Sequence, residues 1–530
     1  MRRWNGWGLD TINYPLTREA LAFLEARLGT GARLKDTELE DVLRAVPSSR
    51  LPAHPLVDSS PVERLMHARG QSLPDWIALR AGRIGVFPDG VAYPASRADV
   101  RDLIRYAASV NAHLIPYGGG TSVVGHVNPG GSDTPVLTID MSRMQRLRHL
   151  SRASRLATFE AGVAGPILEA RLRADGYTLG HFPQSFELST LGGWVATRSS
   201  GQQSRGYGRI EQLFAGGHLE CPAGSMELPP FPASATGPDL RSIILGSEGR
   251  MGVLTDATVR ITALPEREDF HAIFFPTWER ALAATRQLSQ GNLSLSLLRL
   301  SAPGETAITL ALAGHAQAIS ALERFLSLRG IGADKCMLLL GFTGQESMVN
   351  AGRREALAIA RKYKGVHTGR TLGKQWHKGR FRVPYLRNTL WEAGYAVDTV
   401  ETAVDWDRVP ALIVAVEQAL RTGLAEIEER VHATTHLSHT YPSGSSIYTT
   451  YLYRLAPDPE ETLRRWRVLK AAASRAIVSH GGTISHQHGV GTDHLPYLQK
   501  EKGTLGIETL HTLCKQFDPS GMMNPGKLVD

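Results

Sequence analysis

The sequence predicts an α+β fold in more than one domain, because strand-like and helix-like patterns alternate along a long chain. Short β-type runs such as AHLIPYGGGTSVVG and GVLTDATVRIT are separated by helical patterns such as RADVRDLIRYAASVNA. Strands that alternate with helices are typical of α/β or α+β domains. A chain of 530 residues, 42% of them hydrophobic, is too long for one compact core and can fill two or three.

Changes of pattern divide the chain into four segments. Residues 1–79 mix short helical patterns with the Pro- and Ser-rich VPSSRLPAHPL, which predicts a partly helical N-terminal extension. Residues 80–265 carry the glycine-punctuated strands of the first domain. Longer helical patterns, interleaved with strands such as CMLLLGF, predict a second domain over residues 266–490. Residues 491–530 form a C-terminal segment.

Composition excludes several classes of function. The net charge of +8 comes from basic residues scattered among acidic ones, which predicts no nucleic-acid partner and a mild attraction to anionic metabolites or lipid head groups. Three widely spaced cysteines, Cys221, Cys336 and Cys514, disfavour a disulfide framework and a cysteine-based metal site. MRRWNGWGLD lacks the apolar stretch of a signal peptide. We therefore expect a cytoplasmic protein, with peripheral contact at the inner membrane face left open.

The glycine-rich run PYGGGTSVVG, Pro116–Gly125, follows directly after the apolar run AHLI. Successive glycines let the backbone approach a ligand closely, and their N–H groups form an anion-binding concavity with the hydroxyls of Thr121 and Ser122. The spacing fits neither a P-loop nor the glycine motif of a Rossmann helix. A pyrophosphate would fit this loop, although a flexible hairpin tip has the same composition.

Two further segments of small residues follow, PQSFELSTLGGWVATRSSG and ILGSEGRMGVLTDATVRI. With PYGGGTSV, YGRIEQL and GPDL they resemble the PCMH-type FAD-binding domain of the vanillyl-alcohol-oxidase type flavoproteins. Within that superfamily they resemble the alkyldihydroxyacetonephosphate (alkylglycerone-phosphate) synthase family, from about residue 80 to FDPSGMMNPGKL. The resemblance implies a two-part FAD-binding domain, an α/β cap domain for the substrate, and a C-terminal segment that returns to the FAD domain.

The resemblance also implies which residues hold FAD. GGGTSV contains no histidine where some relatives link the flavin covalently, so noncovalent FAD is expected. The implied FAD-binding residues are Pro116, Tyr117, Gly118, Gly119, Gly120, Thr121 and Ser122, then Gln184, Ser185, Phe186, Glu187, Leu188, Ser189 and Thr190, then Thr197, Arg198, Ser199 and Ser200, and finally Glu248, Gly249, Arg250, Met251, Gly252, Val253 and Leu254.

Two arginines of the second domain match family arginines. Arg387 corresponds to the one expected to bind the acidic substrate, and Arg299 to one tied to activity. A guanidinium suits phosphate or carboxylate. The alternative for a lone helical arginine is a solvated surface charge.

The segment HLSHTYPSGSSIYTTYLY raises the question of a metal. In the 2-hydroxyacid dehydrogenases of the superfamily a comparable GHxxDGNxH segment helps to bind one. Here His439 matches the first histidine, but Tyr448 lies near the second and no acidic residue lies between them, so we predict no metal site. Tyr448 instead matches the synthase family's active-site tyrosine, whose pKa must be lowered if the phenol is to act as a base. A buried core tyrosine is the alternative.

The motif ISHQHGVG contains His486 and His488, which would face one pocket if the segment were a strand. The synthase family has three consecutive histidines here, whereas this chain has Gln487 in the middle. Glutamine cannot titrate near pH 7 and cannot replace a histidine base. The 2-hydroxyacid dehydrogenases show SxEHGxG, so the motif stands between the two patterns.

The resemblance implies an FAD-dependent alkylglycerone-phosphate synthase. Such an enzyme replaces the acyl chain of acyl-dihydroxyacetone phosphate by a fatty alcohol through a flavin N5 adduct, in ether lipid synthesis. Tyr448 would serve in proton transfer, His486 and His488 in proton transfer and oxyanion contact, and Arg387 in phosphate binding. Two alternatives remain: an FAD-dependent oxidoreductase acting on a small hydroxy acid or an alcohol, and a flavin-binding protein without catalysis. A homodimer is left open.

Overall fold

The computed structural model describes residues 1–131, 133–312 and 316–529. Its first 80 residues form small elements that pack onto both later parts of the chain. Helix α4 begins at a capping box, in which Ser72 Oγ accepts from the backbone N–H of Asp75 and the Asp75 carboxylate accepts from the N–H of Ser72. The elements are α1 (Arg18–Leu28), α2 (Leu39–Arg44), β1 (Val57–Asp58), α3 (Pro61–Met66) and α4 (Leu73–Arg80).

The next part of the chain contains a four-stranded sheet in the order β1-β2-β4-β3, a five-stranded sheet in the order β5-β6-β10-β8-β9, and the short pair β11-β7. Strand β4 pairs in parallel with both β2 and β3. The elements are β2 (Gly90–Ala92), α5 (Arg97–Ser109), β3 (His113–Tyr117), β4 (Val136–Asp140), β5 (Leu147–Ser151), β6 (Leu156–Glu160), α6 (Gly165–Ala174), β7 (Tyr177–Thr178), α7 (Leu191–Thr197), α8 (Ser204–Tyr207), α9 (Ile210–Leu213), β8 (Phe214–Cys221), β9 (Gly224–Leu228), α10 (Arg241–Ile244), β10 (Val253–Arg260) and β11 (Thr262–Ala263).

The following part is built on a seven-stranded antiparallel sheet in the order β15-β12-β14-β13-β17-β18-β16, flanked by helices. The elements are β12 (Arg267–Phe275), α11 (Trp278–Gln290), β13 (Leu295–Ser301), α12 (Pro303–Leu312), α13 (Ala316–Leu328), β14 (Cys336–Gly344), α14 (Glu346–Lys362), β15 (Val366–His367), α15 (Thr371–Gly379), α16 (Val383–Glu392), β16 (Tyr395–Asp405), α17 (Val409–Thr422), β17 (His432–Leu437), β18 (Gly444–Arg454), α18 (Pro459–Ser479) and α19 (Leu495–Phe517).

The end of the chain lies beside the first of these sheets. Leu114 of β3 forms a parallel bridge with Met523, and Leu114 O accepts a hydrogen bond from the N–H of Asn524 at 2.7 Å. Parallel pairing is confined to the mixed first sheet, the other sheets are antiparallel, and helices flank them, which confirms the predicted α+β class. No helix within the described residues combines the length and the apolar character of a membrane span.

The antiparallel sheet brings three polar side chains to one face. Glu401 on β16 lies directly opposite Tyr448 on β18, and Tyr448 lies directly opposite His436 on β17. Directly opposed residues of antiparallel strands point to the same side of a sheet. The register alone therefore aligns a carboxylate, a phenol and an imidazole in a row.

Candidate active site

A cavity of about 500 Å³ lies between the loops of the first two sheets and the antiparallel sheet. On one side it is lined by the glycine loop that follows β3, by α7 and by the start of β10. On the other side its lining comes from β13, α12, α16, β16, β17 and β18, and from the loop after α18. The cavity is therefore bounded by both halves of the fold.

The glycine loop after β3 makes contacts that only glycine allows. A Cβ added at Gly118 would lie 2.2 Å from Thr190 Oγ1, and one at Gly119 would lie 1.9 Å from the carbonyl oxygen of Leu188. Gly120 has a φ of 63°, in the left-handed region. The loop is thus a backbone cradle against residues 188–190, and exposed N–H groups of this kind suit the pyrophosphate of FAD.

Glu248 ties this cradle to the histidine loop. Its carboxylate accepts from the N–H of Val490 at 2.5 Å and from the N–H of Gly491 at 2.8 Å. Glu248 itself has a φ of 53° and is buried. The Gly/Ser/Glu turn found in the sequence therefore fixes the loop that carries His486 and His488.

Most of the residues predicted to bind FAD line the cavity. These are Pro116, Tyr117, Gly118, Gly119, Gly120, Thr121, Ser122, Gln184, Ser185, Ser189, Thr190, Thr197, Ser199, Glu248, Gly249, Gly252, Val253 and Leu254.

Seven predicted FAD-binding residues lie outside that lining: Phe186, Glu187, Leu188, Arg198, Ser200, Arg250 and Met251. Three of them show the reason, because their side chains face other parts of the fold. Phe186 stacks on Phe381 at 5.0 Å, Glu187 accepts from Tyr385 Oη at 3.0 Å, and Arg250 donates to Met523 O at 2.7 Å. Such residues support the cradle from behind.

The lining also includes residues that the sequence analysis did not single out, among them Trp7, His126, Trp194 and Asn524. Trp194 lies inside the motif STLGGWVATRSSG, so the sequence could have predicted that it lies near the FAD site. Trp7 carried no such signal, because it lies more than a hundred residues before the glycine loop. Chain folding alone brings it there.

Arg299, Glu305, His436 and Tyr448 form one connected group. Arg299 Nη2 donates to Glu305 Oε1 at 2.6 Å, His436 Nδ1 lies 2.7 Å from Glu305 Oε2, and the His436 ring stacks on Tyr448 at 4.8 Å. Burial alone would raise the pKa of Glu305, but His436 and Arg299 outweigh it and lower that pKa. The ionised carboxylate thus holds Arg299 and His436 at the cavity wall.

Tyr448 lines the cavity, but its surroundings do not make it a base. Burial raises the pKa of its phenol, and the nearby carboxylates of Glu401 and Asp398 act in the same direction. The lowered pKa that a phenolate base would need is therefore not met at Tyr448. Tyr448 is a neutral phenol near pH 7, suited to donate a hydrogen bond to a ligand oxygen.

The histidine motif forms a loop, so the strand geometry that would turn both histidines toward one pocket does not apply. His488 and Gln487 line the cavity, whereas His486 lies behind them. Tyr441 Oη lies 2.7 Å from His486 Nε2, which holds that ring away from the cavity. Burial lowers the pKa of His488 below the ordinary histidine value, so its imidazole is neutral near pH 7 and can accept a proton.

Glu401 is the acidic partner that the sequence did not reveal. Its Oε2 accepts from Gln487 Nε2 at 2.7 Å, its Oε1 lies 3.2 Å from His486 Nδ1, and His488 Nε2 lies 3.9 Å from Oε2. Burial opposes ionisation, but the neighbouring histidines lower the pKa of Glu401 below its ordinary value. One buried carboxylate therefore holds Gln487 by a hydrogen bond and lies as a negative charge beside His486 and His488.

Glu401, His439 and His486 also present atoms that could hold a metal ion, all within 4.8 Å of one another. The carboxylate oxygens are already used, since Ser438 donates to Oε1 at 3.0 Å and Gln487 donates to Oε2. Both oxygens of Glu401 are thus hydrogen-bonded, whereas the buried Nδ1 of His486 beside them has no hydrogen-bond partner among the described residues.

Arg387 lies on α16 at the cavity wall. Its Nη1 donates to Gln71 O at 2.6 Å, and its guanidinium lies over the Trp76 ring at 4.4 Å. These two contacts fix the plane of the guanidinium. Its remaining N–H groups are then available to an anion in the cavity.

Beyond Arg387 the cavity becomes apolar. Leu390, one helical turn after Arg387, lines it together with Leu452 of β18. The far wall comes from two packed helices, α1 and α12, through the side chains of Ala20, Phe23, Leu24, Ile308 and Ala311, and from Leu16 just before α1. We call this part the apolar arm.

The glycine cradle, and the antiparallel sheet on the other side of the cavity, define the class of the protein as an FAD-linked flavoprotein. Residues 88–227 match the family described as "FAD binding domain", and residues 264–528 match "FAD linked oxidases, C-terminal domain". The chain is 31% identical to an alkyldihydroxyacetonephosphate synthase of Dictyostelium discoideum, over 88% of this chain and 77% of that protein. The chain belongs to the alkyldihydroxyacetonephosphate synthase family.

Two further similarities frame this result. A solved structure of an alkyldihydroxyacetonephosphate synthase superposes with a TM-score of 0.85 at 26% identity, covering 99% of each chain. A mitochondrial D-lactate dehydrogenase of Arabidopsis thaliana is 26% identical over 83% of this chain and 73% of that protein. Redox enzymes are therefore more distant relatives on the same scaffold.

Proposed function

We propose that this protein exchanges the acyl chain of an acyl-dihydroxyacetone phosphate for a fatty alcohol, as an FAD-dependent synthase of an ether lipid precursor. One observation carries the proposal: Arg387 lies between the FAD cradle and the apolar arm. A guanidinium at that junction suits a phosphate, and the arm suits an aliphatic chain. A small hydroxy acid would use the arginine and leave the apolar arm empty.

The chain's own side chains divide the chemistry. Arg387 binds the phosphate, and Arg299, paired with the Glu305 carboxylate, lines the same cavity. His488 accepts the proton from C1 of the substrate, since its imidazole is neutral and Gln487 cannot titrate. Tyr448 donates its hydroxyl hydrogen to a substrate oxygen. Glu401 keeps Gln487 in place through its hydrogen bond and places a negative charge 3.9 Å from the His488 ring.

FAD bound in the glycine cradle would supply the electrophilic ring that makes the exchange of carboxylate for alcohol feasible without net redox change. Cavity-lining loops at residues 116–122, 184–190 and 248–254 would hold it, without a covalent link. The role of the protein is then to bind, orient and move protons around the cofactor.

The deciding experiment is an anaerobic absorbance titration of the FAD-loaded protein with palmitoyl-dihydroxyacetone phosphate. We expect the flavin absorbance to bleach, and to return when hexadecanol is added in the absence of oxygen, with formation of the ether product. A redox-neutral exchange has no need of an electron acceptor.

The same titration with D-2-hydroxy acids tests the oxidoreductase alternative. Bleaching by a hydroxy acid that is reversed only by an external electron acceptor would overturn the synthase and establish a dehydrogenase. FAD binding without any spectral response to either class of substrate would indicate a flavin-binding protein without catalysis.

We further propose that the protein works in the cytoplasm and takes its substrates from the surface of a membrane. Both substrates are lipids, and the cavity wall reaches the surface at Val383, which lines the cavity and is 50% exposed. Arg382 immediately precedes it and is exposed, and a basic residue at such a mouth favours anionic head groups. A homodimer remains a prediction.

A further inference from the structure

Residues 1–10 form a hairpin that lies against the cofactor cradle. Arg2 and Leu9 pair as an antiparallel bridge, and the N–H of Arg3 donates to Gly8 O at 2.9 Å. From this hairpin the Arg2 side chain reaches the glycine loop, where Nη2 donates to Gly119 O at 2.6 Å. The hairpin is therefore attached to the loop that is expected to hold pyrophosphate.

Trp7 in the same hairpin is clamped by the neighbour of Arg387. The N–H of Trp7 donates to Asn388 Oδ1 at 3.1 Å, and Asn388 Nδ2 donates to Trp7 O at 3.0 Å. Asn388 is 1% exposed. Both backbone groups of Trp7 are therefore paired, and the position of its ring is fixed relative to the phosphate-binding arginine.

Gln71 connects the same three regions. Its N–H donates to Ser122 O at 2.6 Å, and its carbonyl oxygen accepts from Arg387. Its Nε2 lies 3.4 Å from Gly6 O, next to Trp7 in the chain. The glycine loop, helix α16 with Arg387, and the hairpin of residues 1–10 thus meet around Trp7.

The indole N–H of Trp7 is a hydrogen-bond donor without a partner among the described residues. Trp7 is 4% exposed and lines the cavity, and its Nε1 has no hydrogen-bond acceptor within the part of the chain that the structure describes. Buried tryptophans normally pair their N–H, because an unpaired buried donor costs about as much as a lost hydrogen bond. A donor left free at a cavity wall points to an acceptor on the ligand.

We propose that Trp7 is a ligand-binding residue whose indole Nε1–H donates to a phosphate oxygen in the cavity. The hairpin of residues 1–10 holds Trp7 in position. Phosphate is the matching acceptor because the groups around Trp7, the glycine loop and Arg387, both suit phosphate. Two ligands offer that group: the pyrophosphate of FAD and the phosphate of the substrate. The second source rests on the proposed function.

The test is Trp7→Phe, which removes the N–H and keeps an aromatic ring. Trp4→Phe is the matched control, since Trp4 lies in the same hairpin but outside the cavity lining. FAD affinity of the apoprotein is measured by flavin fluorescence, and affinity of the FAD-loaded protein for dihydroxyacetone phosphate by flavin difference absorbance. We expect Trp7→Phe to weaken one of the two by about tenfold or more, and Trp4→Phe to weaken neither.

Each result has one meaning. Weaker FAD binding assigns Trp7 to the pyrophosphate, and weaker binding of dihydroxyacetone phosphate with unchanged FAD affinity assigns it to the substrate. Unchanged affinity for both ligands in a Trp7→Phe variant that melts like the unsubstituted protein overturns the inference. If the unsubstituted protein binds FAD but shows no flavin response to palmitoyl-dihydroxyacetone phosphate, the proposed function fails, and the FAD measurement alone decides the role of Trp7.

Discussion

Gln487 changes what its neighbours have to do. Its amide donates to Glu401 and cannot take a proton, which leaves His488 as the titratable member of the motif at the cavity wall. Tyr448 stands beside it, with the two rings edge to face at 5.9 Å. The phenol stays protonated and the imidazole stays neutral, so the environment assigns the base to His488 and the donor to Tyr448.

The first prediction concerns these two residues. We expect His488→Gln to slow exchange of the C1 hydrogen of palmitoyl-dihydroxyacetone phosphate with deuterated solvent by roughly 100-fold or more, because it removes the base. Tyr448→Phe removes only a hydrogen bond and should slow the exchange less. Mass spectrometry of the recovered substrate measures the exchange. A larger loss in Tyr448→Phe than in His488→Gln would reverse the assignment.

The second prediction is the pH dependence of that exchange. Because burial lowers the pKa of His488, its proton-accepting form persists below the ordinary histidine pKa of about 6.5. The exchange rate should therefore stay level as the pH falls through 6.5 and decline only in more acidic solution. A half-maximal rate at pH 6.5 or above would mean that His488 is not the base.

At the scale of elements, the glycine loop and the helix pair α1 and α12 perform separate tasks. In the loop after β3, a side chain at Gly118 or Gly119 would collide with residues 188–190, and one at Gly120 would collide with the Tyr117 hydroxyl. The helix pair supplies mainly apolar side chains to the far wall of the apolar arm, although α12 also contributes Thr309 and Glu305 to the cavity lining. The glycine loop therefore binds an anion, and helices α1 and α12 limit the length of an aliphatic chain.

The third prediction concerns the loop. Gly119→Ala places a methyl group 1.9 Å from Leu188 O, which forces the two loops apart, so FAD affinity should fall by about tenfold or more. Gly130→Ala is the control, because nothing lies within 4 Å of the added Cβ. Titration of the apoprotein with FAD compares them. Equal affinities in the two variants would contradict a cradle at residues 118–120.

The fourth prediction concerns helix α1. Ala20 is buried and lines the apolar arm, whereas Ala22 on the same helix is exposed. Ala20→Leu adds three carbons to the wall, so the preferred fatty alcohol should become shorter by about two or three methylene groups. Ala22→Leu adds the same carbons to solvent and should leave the preference unchanged. Competition among alcohols of graded length measures it, and identical profiles in the two variants would place the chain elsewhere.

At the scale of the whole molecule, buried histidines make stability depend on pH. Burial lowers the pKa of His181 to about 3 and that of His432 to about 4. In the unfolded chain both have ordinary values near 6.5. Between these values the unfolded state binds more protons than the folded state, so stability falls as the pH falls below about 6.5.

The fifth prediction isolates one of these residues. At pH 5 the buried neutral His181 should cost about 2 kcal/mol of stability relative to neutral pH. His181→Gln removes this titration and should reduce the drop in thermal midpoint between pH 7 and pH 5. His480→Gln, at an exposed histidine, should leave the drop unchanged. The same pH dependence in both variants would show that His181 does not contribute to it.

The sequence by itself determined the class of the fold, the flavin loops and the family. Runs of glycine and hydroxyl residues indicate a tight loop with exposed backbone N–H groups. Such a loop can be recognised from the sequence without knowing which residues pack against it. Arg387, Tyr448 and His488 line one cavity, as the resemblance implied. The sequence was therefore sufficient to select these three residues as candidates for the active site.

Only the tertiary structure decided which groups these residues meet. Glu401 reaches Gln487 across 86 positions of the chain, and Trp7 meets Asn388 across 381. The strand register aligns Glu401 with Tyr448, and chain packing turns His486 behind the cavity wall. A pKa or an unpaired donor depends on burial and on partners distant in sequence. These properties arise from the packing of whole elements, which no local pattern encodes.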